Sequence, residues 1–351
     1  MPSSDDSPSM ARLPPNLVSV FTQALKSYQT SNATFRVLCS LTNSSLPSSA
    51  SPSAAEPPTP HPPQAPIKSL LVLDSSFNPP TLAHRRMALS ALADHGPSDS
   101  GGDGDNTRTP RVLLLLAINN ADKAPKPASF PQRLAMMYIF AQDLLLRCAE
   151  PPPAQRRSAW CQGVDIAVTT EPYFHAKAGA IAASDFYHQH NQNQSQNVQD
   201  QGPEQVYLTG FDTLIRIFDP KYYYSPPPGS GAMASALDPF FARAKLRVTM
   251  RTDAEWGDAA AQRAYVKGLR EGALGRVGGR TEWVDRIEMV EGSGNGRKEG
   301  EEKEEEEVVA VSSTKVREAV RRKDWEALGK LVSEDVAGWI RQEGLYAEEG
   351  V

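Results

Sequence analysis

Cysteine is scarce in this chain: Cys39, Cys148 and Cys161 are the three among 351 residues. None of them stands in a C-x-x-C pair, so the sequence predicts neither a disulfide framework nor a structural zinc site. Apolar runs of the roughly 20 residues that cross a bilayer are also missing. The first residues lack the basic and apolar segments of a secretory signal. We therefore expect a protein of the cytoplasm or nucleus, with no membrane partner and no metal held by protein ligands.

An excess of charge of one sign is also missing over most of the chain. The formal net charge of −5 comes from one run, residues 298–307, which holds seven glutamates and two lysines. Outside that run 35 basic residues face 35 acidic ones. The chain thus has no overall basic field that would favour nucleic acid as a partner. The acidic run itself is typical of an exposed loop.

Hydrophobic residues make up 40% of the chain, which also contains 29 prolines. Much of it is therefore expected to lie outside a core. Residues 1–66 are predicted to form an N-terminal arm, with a helix at Leu17–Tyr28, an apolar patch at Phe35–Leu41 and a Pro/Ser-rich linker at Ser44–Pro66. The arm either packs its helix on the main domain, residues 67–351, or is mobile.

Apolar runs and amphipathic segments alternate along the main domain, which predicts a parallel sheet with helices on both faces. Ligands of such sheets bind at the carboxyl ends of the strands, where the strand order reverses. The predicted strands are Ser69–Leu73, Val112–Ile118, Val164–Val168, Val206–Leu208, Leu246–Met250 and Val308–Val311, and the predicted helices are Leu82–Ala93, Pro131–Cys148, Ala176–His190, Thr213–Phe218, Ala254–Glu271 and Thr314–Arg322.

Four segments of low complexity interrupt this alternation. They lie near residues 96–110, 188–204, 225–236 and 291–307 and are rich in Gly, Ser, Pro, Gln, Asn or Glu. Such compositions bury little apolar surface, so we expect disordered surface loops. Loops of this kind could recruit protein partners.

A turn rich in hydroxyl groups follows the first predicted strand. Its sequence, Ser75–His84, reads Ser-Ser-Phe-Asn-Pro-Pro-Thr-Leu-Ala-His. The small Ser75 and Ser76 let the backbone approach an anion. Thr81 and His84 are three residues apart and share one face of a helix. A hydroxyl and an imidazole directed at one point could hold a phosphate group during transfer.

A second motif, Ser-Ser-Thr-Lys-Val-Arg at residues 312–317, lies about 230 residues further along the chain. It follows an apolar run and opens a basic helix. Amide N–H groups at a helix N-terminus and nearby cations both favour polyphosphate. The two motifs together predict one composite nucleotide site.

These two motifs resemble those of the nucleotidylyltransferase superfamily. Ser75–His84 is similar to its (H/T)-x-x-H motif, and the Phe77-Asn78-Pro79 core most resembles nicotinamide mononucleotide adenylyltransferases. The segment from Val311 to Arg317 is similar to the second motif, I-S-S-T-x-x-R, with Val in place of Ile. The resemblance covers roughly residues 67–346. It implies a Rossmann-like, doubly wound α/β sheet and places the chain in a divergent, fungal-type branch.

Other segments extend the resemblance. Lys123 stands where the family has a phosphate-binding lysine, and Arg133 opens the next helix as a family arginine does. Gly210 and Asp212 match the Gly-x-Asp-x-Leu turn, which implies close backbone approach and hydrogen bonds to ribose or adenine. Thr170 and Phe174 fall where the family places its acceptor nucleotide, and Tyr173 and His175 lie in the same segment.

The resemblance implies adenylyl transfer from ATP to nicotinamide mononucleotide, giving NAD and pyrophosphate, with Mg²⁺ carried by ATP. The catalytic residues it implies are Thr81, His84, Lys123 and Arg317. Acceptor binding is implied for Lys123, Arg133, Thr170 and Phe174. Contacts to ATP are implied for Ser75, Ser76, Phe77, Asn78, Gly210, Asp212, Ser312, Ser313, Thr314 and Arg317.

One departure from the family pattern leaves alternatives open. The family usually has Gly where Ser75 stands, and a Cβ at that position could crowd the nucleotide. The first alternative is a transferase of the same fold that uses another phosphate acceptor. The second is a nucleotide-binding regulator or slow ATPase that has lost efficient transfer.

Overall fold

A seven-stranded sheet is the central element of the computed structural model. The structure describes residues 13–14, 16–46, 57–96, 109–119, 127–149, 161–188, 202–223, 231–251, 256–291 and 311–347. In this part of the chain the strands are β1 (Phe35–Leu41), β2 (Ile67–Asp74), β3 (Thr109–Ala117), β4 (Val164–Thr169), β5 (Glu204–Gly210), β6 (Ala244–Thr249) and β7 (Ile287–Val290).

The strand order is β1-β4-β3-β2-β5-β6-β7, and every neighbouring pair is parallel except β1 with β4. The six parallel strands run outward from β2 in one direction and from β5 in the other. This is the doubly wound order, and the predicted fold class is confirmed. The strand order reverses between β2 and β5, so their carboxyl ends form the crevice where such sheets bind ligands.

Helices cover both faces of the sheet because the buried strands are apolar on both sides. One face is covered by α1, α2, α3, α9, α10 and α11, and the other by α4–α8. Their bounds are α1 Leu17–Gln29, α2 Leu82–His95, α3 Phe130–Ala149, α4 Phe174–Ala182, α5 Phe211–Ile217, α6 Ala232–Arg243, α7 Ala259–Gly268, α8 Leu274–Arg276, α9 Ser313–Arg321, α10 Trp325–Leu331 and α11 Glu334–Gln342.

The N-terminal segment shares the core of the main domain. The predicted helix is present as α1, whose buried Phe21 packs edge-on against Tyr138 of α3. The apolar patch is β1, an edge strand of the sheet. A division at residue 66 therefore separates β1 from the sheet that it completes. Pairing with β4 satisfies the backbone of β1, a tertiary interaction that its local sequence does not reveal.

Several predicted elements are corrected by the structure. The sixth parallel strand is β7, which was not predicted. Val311, the one described residue of the predicted strand at 308–311, lies outside any strand. Helix α6 occupies part of the loop predicted at 225–236. The predicted helix at 176–190 is α4, which begins earlier and ends at Ala182, with a short 3₁₀ turn at Asp185–Tyr187.

The helix predicted at residues 254–271 is regular over α7 only. It continues into a π-helical segment, Leu269–Ala273, in which Gly272 has φ 107°. The remainder of the four predicted low-complexity loops lies almost wholly outside the described residues. Within the described residues, the helices are all too short or too polar to cross a bilayer.

Candidate active site

A cavity of about 350 Å³ opens at the carboxyl edge of the sheet. It lies at the crevice between β2 and β5 and extends to the carboxyl ends of β6 and β7. Both sequence motifs contribute to its wall. The lining comprises Leu73–Ser75, Thr81, Ala83, His84, Arg86, Met87, Ser90, Leu208–Gly210, Asp212, Thr213, Thr249–Arg251, Val290, Glu291 and Val311–Ser313.

His84 is held by hydrogen bonds to both of its ring nitrogens. Thr81 begins helix α2 as its N-cap, so its backbone N–H points along the first turn and donates to Nδ1 at 3.0 Å. The Thr81 hydroxyl lies 2.8 Å from the same nitrogen. Nε2 lies 2.9 Å from the Ser75 hydroxyl oxygen. The ring is thereby fixed in the wall of the cavity.

Burial determines the charge of His84, and these contacts determine which ring nitrogen carries the proton. Burial lowers its pKa to about 4, so the imidazole is neutral at physiological pH. Because Nδ1 accepts a backbone N–H, the single ring proton must be on Nε2. Nε2–H therefore donates to Ser75. In this tautomer His84 cannot remove a proton from Ser75, so the pair cannot act as a nucleophile and its base.

The second motif contacts the first directly. Ser313 Oγ donates to the carbonyl oxygen of Pro79 at 2.8 Å, and Nη1 of Arg317 donates to the carbonyl oxygen of Asn78, also at 2.8 Å. The side chain of Asn78 accepts a third hydrogen bond from the Tyr346 hydroxyl at 2.9 Å. The turn after β2 is thus fastened to the C-terminal part of the chain.

Helix α9 presents its N-terminus at the cavity. Ser312 is its N-cap and accepts the backbone N–H of Lys315 at 3.3 Å. Ser312 and Ser313 line the cavity, while Thr314 is exposed and accepts a hydrogen bond from Nη2 of Arg317 at 3.1 Å. The N–H groups of the first turn and the helix dipole make this end favourable to an anion.

Phe77 stabilises the unusual course of the turn. Its φ of 44° is in the left-handed region, which a residue with a Cβ adopts only at a cost. The side chain is fully buried, and its ring centroid lies 5.5 Å from that of His84. Burial of the aromatic ring offsets the backbone strain. Ser76, its neighbour, is exposed and does not line the cavity.

Gly210 and Asp212 lie where β5 ends, on the opposite side of the crevice. A Cβ added to Gly210 would lie 2.7 Å from the Asp212 carboxylate oxygen Oδ1, so a larger residue here would displace the Asp212 side chain. Arg251, just beyond β6, pairs with Asp212 at 3.3 Å. The carboxylate is consequently held at the cavity wall by a neighbouring cation.

Charged side chains at the cavity are mostly paired. Asp74, at the end of β2, forms a buried ion pair of 2.5 Å with Lys177 of α4. Arg86 is exposed and lines the cavity, whereas Arg85 turns away to pair with Asp143 of α3 at 3.0 Å. The two adjacent arginines that follow His84 thus differ in role, and Arg86 is the one available to a ligand.

Arg133, Thr170 and Phe174 do not line the cavity. Arg133 is buried beside Phe130, and burial together with the nearby charge of Arg317 lowers its pKa. The backbone N–H of Thr170 donates to the carbonyl oxygen of Thr34 at 3.1 Å, next to β1. Phe174 packs edge-on against Tyr207 in the second core cluster. Lys123 lies outside the described residues.

Several residues that line the cavity were not predicted from the sequence. They are Met87, Ser90, Thr249, Met250, Arg251 and Glu291. Arg251 had a usable signal, because it directly follows a predicted strand and the carboxyl ends of parallel strands meet at one edge. Met87 is three residues from His84 on α2, and Ser90 is three residues from Met87, so each is one turn from the previous one.

No protein-family profile matches the chain. A protein of Schizosaccharomyces pombe, provisionally named nicotinamide mononucleotide adenylyltransferase, is 31% identical over 276 residues, which are 78% of this chain and 84% of that protein.

Among solved structures, the nicotinic acid mononucleotide adenylyltransferase of Plasmodium falciparum in complex with NaAD has a TM-score of 0.38 and 11% identity, over 80% of this chain and 98% of that one. A protein of Vibrio parahaemolyticus, provisionally named nicotinate-nucleotide adenylyltransferase, has a TM-score of 0.30 and 13% identity, over 81% and 98%.

The sequence relationship to the fission-yeast protein extends over most of both chains. The name of that protein refers to an enzyme that transfers a nucleotidyl group. The chain belongs to the nicotinamide mononucleotide adenylyltransferase family and is a nucleotidyltransferase of NAD biosynthesis.

Proposed function

We propose that the protein transfers the adenylyl group of ATP to nicotinamide mononucleotide. An oxygen of the acceptor's 5′-phosphate attacks the α-phosphorus of ATP and forms the new P–O bond. The bond from the α-phosphorus to the oxygen that bridges to the β-phosphate breaks. Pyrophosphate leaves with that electron pair, and NAD is the other product.

The observation that carries this proposal is the contact between the two motifs. Ser313 and Arg317 reach across 234 and 239 positions to hydrogen-bond the carbonyls of Pro79 and Asn78. Because of these contacts the N-termini of α2 and α9 open onto the same cavity. Two positive helix ends at one place favour a polyphosphate.

The volume of the cavity suits one nucleotide. Its volume of about 350 Å³ is at the lower end of the range of ligand pockets, roughly 300–1,000 Å³. ATP would place its nucleoside against β5 and β6, with Asp212 at the ribose, and its phosphates between Ser75 and Ser313. Arg317 and Arg133, which lie behind the Asn78 turn, would contribute positive charge to the leaving pyrophosphate.

Positioning and charge stabilisation are the means of catalysis available here. His84 is neutral, with its proton on Nε2, so its side of the site offers a hydrogen-bond donor rather than a base. Donors aimed at the oxygens that gain charge stabilise the transition state without rearranging. The hydroxyls of Thr81, Ser312 and Ser313 are placed in the same wall.

The acceptor would lie beyond the Asp74–Lys177 pair, toward α4. An aromatic group lies there: the Tyr173 ring stacks on His175 with centroids 5.7 Å apart, and Tyr222 and Tyr223 flank them. Tyr173 is 40% exposed. An exposed aromatic face attracts a cationic pyridinium ring. We therefore assign the acceptor ring to Tyr173 rather than to the packed Phe174.

Mg²⁺ would enter with ATP. Among the described residues there is no group of three or more His, Cys, Asp or Glu side chains that could hold a metal. Each carboxylate that lines the cavity is paired with a cation: Asp74 with Lys177, Asp212 with Arg251 and Glu291 with Arg263. Magnesium commonly keeps several waters and binds substrate phosphates. The ion would shield the charge of the triphosphate.

The test is an assay with ATP, Mg²⁺ and one of several acceptors, with NAD followed by alcohol dehydrogenase. We expect NAD from nicotinamide mononucleotide and a loss of about 100-fold in kcat in His84→Ala. Nicotinic acid mononucleotide and 4′-phosphopantetheine, whose products need chromatography, serve as competing acceptors. Faster transfer to either, or wild-type turnover by His84→Ala, would contradict the proposal.

A further inference from the structure

The hydroxyl of Ser75 lies beside the His84 ring at the cavity wall. Its oxygen accepts the Nε2–H of His84 at 2.9 Å, and the residue lines the cavity wall. In the part of the chain that the structure describes, His84 is the hydrogen-bond partner found for this hydroxyl. The Ser75 proton is therefore available to a group in the cavity.

The three groups form a chain of hydrogen bonds with one direction. The Thr81 backbone N–H donates to His84 Nδ1 at 3.0 Å, and His84 Nε2–H donates to Ser75 Oγ. Each donor in such a chain polarises the next one, so its last member donates more strongly than an isolated hydroxyl. The last member here is the Ser75 O–H, which opens on the cavity.

We propose that Ser75 is the residue that contacts the transferring phosphate, and that His84 acts through it as a positioning residue. The Ser75 O–H donates to an oxygen of the α-phosphate, while His84 holds Ser75 in place and polarises it. This inference rests on the proposed function. It reverses the expectation that a side chain at this position crowds the nucleotide, since the added hydroxyl extends the donor toward the ligand.

A double-mutant cycle tests the proposal, with NAD formation as the readout. The variants are Ser75→Ala, Ser75→Gly, His84→Ala and the Ser75→Ala/His84→Ala double variant. Ser19→Ala, on the exposed side of α1, is the matched control for loss of a serine hydroxyl. Circular dichroism and thermal unfolding verify that each variant is folded.

We expect Ser75→Ala and Ser75→Gly each to lower kcat about 10- to 100-fold and to raise the KM for ATP about three- to fivefold, because the contact forms on binding and strengthens in the transition state. The double variant should be within about threefold of His84→Ala, because both changes break the same hydrogen-bond chain. Ser75→Gly at or above wild-type kcat would overturn the proposal. So would effects of the two single changes that multiply in the double variant.

Binding separates this inference from the proposed function. If the wild type makes no NAD, the proposed function fails, and the same four variants are titrated calorimetrically with α,β-methylene-ATP. Weaker binding by about threefold or more in Ser75→Ala, with no further loss in the double variant, would sustain the contact between Ser75 and phosphate. Unchanged affinity in Ser75→Ala would overturn it.

Discussion

Arg317 and Asn78 lie 239 positions apart in the chain, and a hydrogen bond of 2.8 Å joins the guanidinium of one to the carbonyl oxygen of the other. The same guanidinium also donates to Thr314 at 3.1 Å. Arg317 therefore links the start of α9 to the turn that carries the first motif. Its side chain is only partly exposed, and burial lowers its pKa from the usual arginine value.

Substitution at Arg317 should impair catalysis more than folding. We expect Arg317→Ala to lower kcat/KM for ATP about 100-fold. Arg317→Lys should restore only part of the lost kcat/KM, because an ammonium group cannot make both hydrogen bonds in the same geometry. The measurement is steady-state kinetics with varied ATP. Arg322→Ala, an exposed change one residue past α9, should stay within about twofold. Full activity in Arg317→Ala would show that the hydrogen bond between the two motifs is not required for catalysis.

Gly210→Ala tests the close approach at the end of β5. The new Cβ would lie 2.7 Å from the Asp212 carboxylate and displace it from Arg251. We expect the KM for ATP to rise about 10-fold, since a displaced hydrogen bond to ribose costs roughly 1–1.5 kcal/mol. Gly329→Ala is the control, because among the described residues no atom outside the backbone of α10 lies within 4 Å of its added Cβ. Equal KM values for both variants would show that the position of Asp212 is unimportant.

The buried ion pair between Arg111 and Asp165 predicts a large effect on stability away from the cavity. The two side chains are 3% and 0% exposed and meet at 2.6 Å, and Ser40 and Tyr187 also donate to Asp165. Removing one partner leaves a buried charge without its counter-ion. We expect Arg111→Met to lower the free energy of unfolding by about 3–5 kcal/mol.

Urea denaturation gives this value, and Lys330→Ala is the comparison. Lys330 pairs with Glu326 on the surface of α10, where both side chains are mostly exposed. Exposed pairs contribute roughly 0–1 kcal/mol. If Arg111→Met cost no more than Lys330→Ala, the Arg111–Asp165 pair would not be stabilising the folded chain.

The pH dependence of stability should reveal the lowered pKa of the half-buried His84. Its pKa of about 4 in the folded protein is below the value of about 6.5 for an unfolded chain. Between these values the unfolded state binds a proton that the folded state does not, so the free energy of unfolding falls as pH decreases from about 6.5 to 4. At constant ionic strength, His84→Asn should reduce this fall by at most about 3 kcal/mol. An identical pH profile in His84→Asn would contradict a low pKa.

The elements that were predicted correctly are those whose hydrophobic pattern can be read from a short local sequence. Apolar runs such as Ser69–Leu73 and Val112–Ile118 gave β2 and β3 to within a few residues. Strand β7 has four residues, none fully buried, so its composition carries little signal. Helix α6 contains Pro239 and follows a Pro/Gly-rich stretch, which concealed it. Strand β1 depends on a partner more than 120 residues away.

The two motifs of the site were recognisable from sequence because each is a short segment rich in hydroxyl groups at the start of a helix, α2 for the first and α9 for the second. Their mutual contact was expected, but its form was not. Which of Arg85 and Arg86 faces the cavity depends on the position of Asp143 in α3. The pairing of Asp212 with Arg251 depends on the register of β5 and β6. Such relationships arise only once the sheet has formed.

The most direct test of the account is a chromatographic measurement of every nucleotide product when the full chain is incubated with ATP, Mg²⁺ and nicotinamide mononucleotide. The account predicts NAD and pyrophosphate in equal amounts, matching the ATP consumed, with negligible ADP. ADP and orthophosphate without NAD, whether or not the acceptor is present, would contradict adenylyl transfer and identify a hydrolase at the same cavity.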